Sequence, residues 1–251
     1  MKTACSPSRT WRVGSFAPCP SVKGEAHDMR LVTSAQMKQI ERNAVLAGLS
    51  YSEMMENAGR VAFGALSAYH DFEGATALVF AGRGNNGGDG LVLARMLWRA
   101  GAKVTVLLCD GEPQTKEATA NLSLLPRTVA VLNLAYETQA LEGLSKPDFV
   151  VDALYGTGFH PPFEMRDRQA AQWMNCCGAP VYALDLPSGV DADMARADCD
   201  AVRARCTFAF DSLKYAHCRE PAKGYCGEVH CLNIWIPEEC HRGLYWEIEE
   251  Q

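Results

Sequence analysis

Thr76-Ala-Leu-Val-Phe-Ala81 runs straight into Gly82-Arg83-Gly84-Asn85-Asn86-Gly87-Gly88-Asp89-Gly90. Leu91 to Ala100 then carries helical apolar spacing, and Lys103-Val-Thr-Val-Leu-Leu-Cys109 follows. The outer two segments are short apolar runs, the way strands buried on both faces read, and the middle one is long enough for a helix. Strand, glycine loop, helix and strand make one β-α-β unit, which demands a parallel pair. Further strands are expected at 129–134, 149–154, 181–185, 206–210 and 228–236, with helical stretches between several of them. Alternating elements of this kind predict an α/β fold, a mainly parallel sheet with helices on both faces. Ligands of such sheets bind outside the carboxyl ends of the strands, so the loops after strands are where chemistry is to be sought.

Upstream of the first strand, Thr33-Ser-Ala-Gln36 and Ser50-Tyr-Ser-Glu53 are capping boxes. Met37, Ile40, Ala44 and Val45 form the apolar stripe of the first helix, with Gly48 as its stop. Met54, Ala58, Val61, Ala62 and Ala65 form the stripe of the second. Residues 1–28 contain Lys2, Arg9, Arg12 and Lys23 but no apolar periodicity. They are expected to be an unstructured leader or an upstream-start extension, with residues 29–251 as a single domain.

Composition narrows the function classes. The chain has 251 residues, 48% of them hydrophobic, with 24 basic and 30 acidic side chains for a net charge of −6. That balance argues against nucleic acid as a partner, since phosphate binding leaves a basic excess or stripe. No apolar run approaches the roughly 18 residues that cross a bilayer, so a soluble, cytoplasmic protein is expected. The 11 cysteines are odd in number and never spaced C-x-x-C, which suits reduced thiols. The vicinal pair Cys176-Cys177 is expected to be buried.

The glycine loop admits several readings. Gly82-x-Gly84-x-x-Gly87 matches a dinucleotide fingerprint, and Asp110, after the second strand, stands where a ribose acceptor would. A tight turn that merely needs glycine torsions is the plainer alternative. Asp89 speaks against a pyrophosphate on the new helix, because a carboxylate there repels the anion. Asn85, Asn86 and Asp89 instead offer amide and carboxylate groups to a hydroxyl- or amide-bearing ligand, or oxygens to a hard cation. Two later strands also end in a carboxylate followed by a turn: Asp152 in Asp152-Ala-Leu-Tyr-Gly-Thr-Gly158, and Asp185 in Asp185-Leu-Pro-Ser-Gly-Val-Asp191. A single strand-end Asp commonly caps a helix. Three such loops on one rim of a parallel sheet point to a shared pocket.

Taken together, Gly84-Asn-Asn-Gly-Gly-Asp-Gly90, the Asp152 and Asp185 segments, Cys226-Gly-Glu-Val and Met55-Glu-Asn-Ala-Gly59 resemble the NAD(P)H-hydrate epimerase family, also called the YjeF N-terminal domain family. The resemblance spans roughly residues 29 to 237. It implies a Rossmann-like three-layer α/β/α sandwich that interconverts the R and S forms of hydrated NADH and NADPH in nicotinamide cofactor repair. It implies substrate binding by Asn85, Asn86, Gly87, Gly88, Asp89, Gly156, Thr157, Gly158, Phe159, His160, Pro161, Pro162 and Asp185. It also implies one K+ per subunit held by Asn86, Asp152 and Ser188, whose oxygens are hard ligands suited to such a cation. The S form would pass to a separate dehydratase, and a homodimer is compatible with the pattern.

The chemistry implied is inversion at a hemiaminal carbon. The ring nitrogen expels the hydroxyl to give an iminium, and water re-adds from the other face. One carboxylate able to give and take a proton suffices, and Asp185 is expected to be that group. Lys214, in Phe210-Asp-Ser-Leu-Lys214, stands where the family carries a lysine and is expected to face the same pocket, a snorkelling surface lysine being the alternative. Arg83 departs from the family's usual proline or lysine and would suit the extra phosphate of hydrated NADPH. The run Asp191-Ala-Asp-Met-Ala-Arg-Ala-Asp-Cys199 is unlike the family's usual turn. Two other function classes compete: a non-catalytic binding or interaction module of the same fold, and an NAD(P)-dependent dehydrogenase.

Overall fold

The structure is a computed structural model that describes residues 22–23, 30–136 and 139–247. Its first strands are β1 (Val22–Lys23) and β2 (Arg30–Val32). Two helices follow, α1 (Ser34–Leu46) and α2 (Tyr51–Leu66). Both begin as the sequence predicts: the Thr33 and Ser50 side chains accept from the backbone N–H of Gln36 and Glu53, whose side chains accept from the cap residues in return. Val45 departs from its stripe and lies exposed, whereas Met37, Ile40 and Ala44 are buried.

The β-α-β unit is β3 (Thr76–Ala81), α3 (Asn85–Arg99) and β4 (Lys103–Leu108). The chain continues through α4 (Lys116–Ser123), β5 (Ala130–Asn133), β6 (Phe149–Ala153), α5 (Met165–Cys176), β7 (Val181–Leu184), β8 (Cys206–Phe210) and β9 (Leu213–Lys214). It then forms α6 (Tyr215–Cys218), α7 (Lys223–Cys226), β10 (Glu228–Leu232) and β11 (Trp246–Glu247). β10 stops four residues short of the expected 228–236, where the chain leaves the sheet and returns toward α1 and α2. The predicted leader lies outside the described residues except at Val22–Lys23, which pair in parallel with Val229 and His230.

The main sheet has eight strands in the order β1-β10-β8-β7-β6-β3-β4-β5, and every pairing in it is parallel. From β3 the chain builds outward through β4 and β5, then returns to the other side of β3 for β6 and the rest. β3 and β6 therefore flank the topological switch point, where a crevice opens at the carboxyl ends. Alternate residues of β3 face opposite layers: Val79 and Ala81 join the cluster beneath α1, α2 and α3, while Leu78 and Phe80 join Ala170, Ala171 and Met174 of α5. Each fully buried residue of Leu or Phe size contributes about 1.5–3 kcal/mol to this sandwich.

A second, three-stranded sheet of order β11-β2-β9 positions the site. Pairing of Val32 with Lys214 brings the start of α1 beside the end of β9. The vicinal cysteines contradict their prediction: Cys176 is exposed and Cys177 half-buried, because they fall on the last turn and C-cap of α5 rather than on its inward face. No two of the nine described cysteines form a disulfide with each other.

Candidate active site

Only residues 82–84 of the glycine segment are loop. α3 begins at Asn85 with Gly84 as its N-cap, six residues before the sequence pattern places it. None of the glycines from 82 to 90 has a positive φ, so turn torsions are not what this run supplies. Close approach is. A Cβ on Gly82 would lie 1.9 Å from the Leu154 carbonyl oxygen, one on Gly87 2.0 Å from the Gly82 carbonyl oxygen, and one on Gly90 2.5 Å from the Ala153 Cβ. The glycines thus let α3 press against the ends of β3 and β6, and Gly82 N–H donates to the Ala153 carbonyl at 3.0 Å across the switch point.

A cleft of about 510 Å³ opens there. One wall comes from α1 and α2, with Met37, Glu41, Tyr51 and Met54. The other comes from the strand ends, with Asn85, Asn86 and Asp89 after β3, Gly156, Thr157 and Gly158 after β6, Asp185 after β7, and Lys214. The three loops singled out in the sequence do converge. Phe159, in the same binding stretch, is packed with Phe163 in the core. His160, Pro161 and Pro162 lie on the surface outside the cleft, His160 facing Asp191 at 3.2 Å. Gly87 and Gly88 are buried behind the cleft wall.

Asp152 and Ser188 lie beneath the floor, both fully buried and in direct contact. Asp152 accepts from the Ser188 N–H at 2.7 Å, from the Ser188 hydroxyl at 2.6 Å and from the Leu154 N–H at 3.3 Å. The Ser188 hydroxyl accepts in turn from the Tyr155 N–H at 2.9 Å. Burial pushes the Asp152 carboxyl up to about 6 against the opposing pull of the Ser188 hydrogen bonds. No basic side chain among the described residues pairs with it. Asn86 adds a second unsettled group: its Oδ1 and Nδ2 are both buried without a hydrogen-bond partner among the described residues. Unpaired buried polar atoms are costly and rare in folded proteins.

Lys214 is buried, not a surface lysine: it is 1% exposed. Its Nζ donates to Asp185 Oδ1 at 2.5 Å and to the Phe210 carbonyl at 3.1 Å. Asp185 sits at φ 62°, a left-handed conformation uncommon outside glycine, and both its backbone groups are fastened. Its N–H donates to the Phe208 carbonyl at 2.8 Å, and its carbonyl lies 2.8 Å from His217 Nε2. His217 Nδ1 lies 3.0 Å from the Lys214 N–H, a donor, so Nδ1 is the acceptor and Nε2 carries the proton given to Asp185. Burial, helped by the Lys214 charge, lowers the His217 pKa to about 4, which keeps this tautomer neutral.

Sequence reading missed Glu41 and His217. His217 had a signal, since it stands three residues after Lys214, the spacing of a reciprocal cap. Glu41 had none beyond being polar beside a stripe of apolar residues. Asp89 and Glu41, like Asp185, present carboxyls to the cleft, and burial raises both in pKa, Glu41 to about 7. At the other end, Arg83 and Asp110 face each other at 3.6 Å on the cleft lining. The unusual run after Ser188 forms an Asx turn in which Asp191 accepts from the N–H groups of Asp193 and Met194, while Asp193 accepts from the Ser34 N–H at the start of α1.

Residues 51–216 match the family described as YjeF-related protein N-terminus. The chain belongs to that family. Among relatives, the NAD(P)H-hydrate epimerase of Nitrosopumilus maritimus is 33% identical over 217 residues, which cover 85% of this chain and 99% of that protein. The NAD(P)H-hydrate epimerase of Rhodobacter capsulatus is 37% identical, covering 77% and 94%. The bifunctional NAD(P)H-hydrate repair enzyme Nnr of Coxiella burnetii is 35% identical over 86% of this chain, but the chain spans only 43% of its length. The crystal structure of yeast ynu0, YNL200c, shares the fold with a TM-score of 0.73 at 24% identity, covering 89% of this chain and 96% of that one.

Proposed function

We propose that the cleft interconverts the R and S forms of hydrated NADH and NADPH, as the epimerases of similar length are named to do. The observation that carries the reading is the Lys214–Asp185 pair, buried on the lysine side and open to the cleft on the carboxylate side, at the meeting point of loops that leave room for a flat ring. Inversion of the hemiaminal carbon requires the ring nitrogen to expel hydroxide, which leaves as water when a proton is supplied. Water then adds to the iminium from the other face and gives up a proton. Asp185 exchanges protons with the oxygen on its own side of the ring. Lys214 holds it in place, and His217 fixes its backbone. Met37 and Met54 offer apolar surface to the ring from the opposite wall. Neither a hydride acceptor nor a redox residue is needed.

K+ suits the residues beneath the floor. Asn86 Oδ1, without a partner among the described residues, the buried Asp152 carboxylate, which no basic side chain neutralises, and the Ser188 hydroxyl would give an all-oxygen donor set carrying one negative charge, which fits a hard monovalent cation better than a transition metal. When bound, the ion would supply a fixed positive charge beside the substrate. A dehydratase activity that consumes the S form is the matching partner, since related chains are named bifunctional repair enzymes.

Chiral chromatography of an R-enriched hydrate incubated with the purified chain, in potassium and in tetramethylammonium buffers, tests reaction and ion together. An R/S mixture should form only with enzyme, and faster with potassium. Full-rate epimerisation by Asp185→Asn would end the assignment of that residue.

A further inference from the structure

We propose that Glu41 of α1 is a second catalytic acid–base group of this site, serving the face of the substrate ring that Asp185 does not. The inference rests on the epimerase reading and names the residue that completes it.

Loss of water from one face of a ring and its return on the other calls for a proton donor on the first side and a proton acceptor on the second. A ring held in a cleft does not turn over between the two events. Asp185 reaches the cleft from the strand ends, and Glu41 reaches it from the wall made by α1 and α2. What holds Glu41 there is long-range: β2 pairs with β9 so that Val32 lies beside Lys214, and the start of α1 is tied to the site loops. Ser34 donates from its N–H to Asp193 and from its hydroxyl to the Thr157 carbonyl, at 2.7 and 3.2 Å. Two turns on, Glu41 faces the cleft, half-buried, without a hydrogen bond or ion pair to any described residue. Its carboxyl is therefore left open to a ligand in the cleft rather than tied into the fold.

The charged groups around it are Lys214, Asp185 and Asp211 from the strand ends, Lys38 from its own helix and Asp89 from α3. Burial is the largest influence and Lys214 opposes it, leaving the carboxyl with a pKa of about 7. Both protonation states are then populated at neutral pH, which suits a group that must donate in one direction and accept in the other.

The steps balance without an outside reagent. The nitrogen lone pair forms the C=N bond as the C–O bond breaks. The departing oxygen takes a proton from the carboxyl on its side and becomes water. A second water then adds its oxygen to the carbon from the opposite face, the π pair returns to nitrogen, and the surplus proton passes to the carboxylate on that side. One carboxyl has lost a proton and the other has gained one, and the reverse reaction restores both.

The test uses Glu41→Gln, Glu41→Asp and Asp185→Asn in the full chain, each given the R and the S hydrate in heavy-oxygen water at several pH values. Glu41→Gln should slow epimerisation by about 10²–10⁴-fold with KM within about threefold, and should lose the limb of the kcat/KM profile near neutrality. Glu41→Asp should recover part of the rate. Each carboxyl variant keeps only one working face, so Glu41→Gln should exchange the hydroxyl oxygen of one epimer with retention and Asp185→Asn that of the other. Glu41→Gln at close to the wild-type rate, an unchanged pH profile, or label entering the same epimer in both variants or neither would overturn the proposal. If wild-type chain leaves both hydrates unchanged, the epimerase reading itself has failed, a result distinct from any of these.

Discussion

Replacing Lys214 by Met removes one charge from a buried pair while keeping nearly the same volume, so electrostatics rather than packing should dominate the result. The ammonium is 2.5 Å from Asp185 Oδ1, and the lysine is 1% exposed. Removing one partner of such a pair typically costs 3–5 kcal/mol because the other is left uncompensated. The Asp185 side chain retains 13% exposure toward the cleft, which moves the expectation to the lower end, about 3 kcal/mol. For a domain of this size that corresponds to a fall in Tm of about 6–12 °C. Asp185→Asn alone should cost a similar amount by stranding the ammonium. The double variant removes both charges and should recover most of the loss, giving a coupling of at least ~2 kcal/mol. Urea unfolding of the four proteins at one pH and ionic strength, checked for two-state behaviour by two spectroscopic probes, measures the cycle. If the single losses add to within about 0.5 kcal/mol in the double variant, the pair carries no net interaction and the account of the site is wrong.

Other consequences are open to the same instruments. Burial depresses His217 from 6.5 to about 4, so its contribution is whole above pH 6.5 and is lost as pH falls through 4. Wild-type stability should therefore be more acid-sensitive over that window than that of His217→Gln, by about 3 kcal/mol at most. Equal slopes would show that the imidazole is not held neutral. Glu41 runs the other way: with its pKa raised from 4.5 to about 7, it stabilises the fold below 4.5 and that contribution is lost as pH rises through 7. Glu41→Gln should be more stable than wild type by roughly 1–3 kcal/mol at pH 8 and no different near pH 4, as read from urea midpoints. Gly87→Ala meets the Gly82 backbone and should cost about 3 kcal/mol or prevent folding, whereas Gly84→Ala, with nothing within 4 Å of its Cβ, should stay within about 0.5 kcal/mol by thermal melts. Potassium in place of tetramethylammonium should raise wild-type stability by about 2.7 kcal/mol at a hundred times its Kd and leave Asp152→Asn unmoved. An equal rise in both would move the ion elsewhere.

Local chemistry made most of this fold legible. The capping boxes at Thr33 and Ser50 satisfy backbone donors with residues three positions away, and β3 and β8 fall where unbroken apolar runs place them. The meeting of the loops that carry Asn86, Gly156 and Asp185 at one cleft followed from one property of parallel sheets, that strand ends share a rim. What could not be read locally was set by distant parts of the chain. Helix α3 starts at Asn85 although Gly84 offers no side-chain cap and glycines are poor helix formers, because the gain lies in the approach of Gly87 and Gly90 to Gly82 and Ala153. Glu41 looks like any polar neighbour of Ile40 until the three-residue strand β2 pairs with β9. That strand is too short to carry a pattern of its own.

The left-handed turn at Asp185 invites the inference that strained backbone marks chemistry, and the neighbouring strand shows what that inference needs. Asp211 follows β8 as Asp185 follows β7, with φ 63° against 62°. The next N–H folds back in the same way, Ser212 to Phe210 and Leu186 to Leu184, each at 2.7 Å. The backbone device is therefore duplicated, yet its carboxylates are used differently. Asp211 is 5% exposed, held by His241 at 2.9 Å and by the Ser212 hydroxyl at 2.7 Å, and is absent from the cleft lining. Asp185 has a single lysine on one oxygen and opens to the cleft through the rest of its carboxylate. A sharp turn costing about 1–3 kcal/mol can serve to aim either carboxylate inward from a strand end. What separates a structural aspartate from a reactive one is the access left after its partners are counted, and on that criterion Asp185 and Glu41 stand together while Asp211 does not.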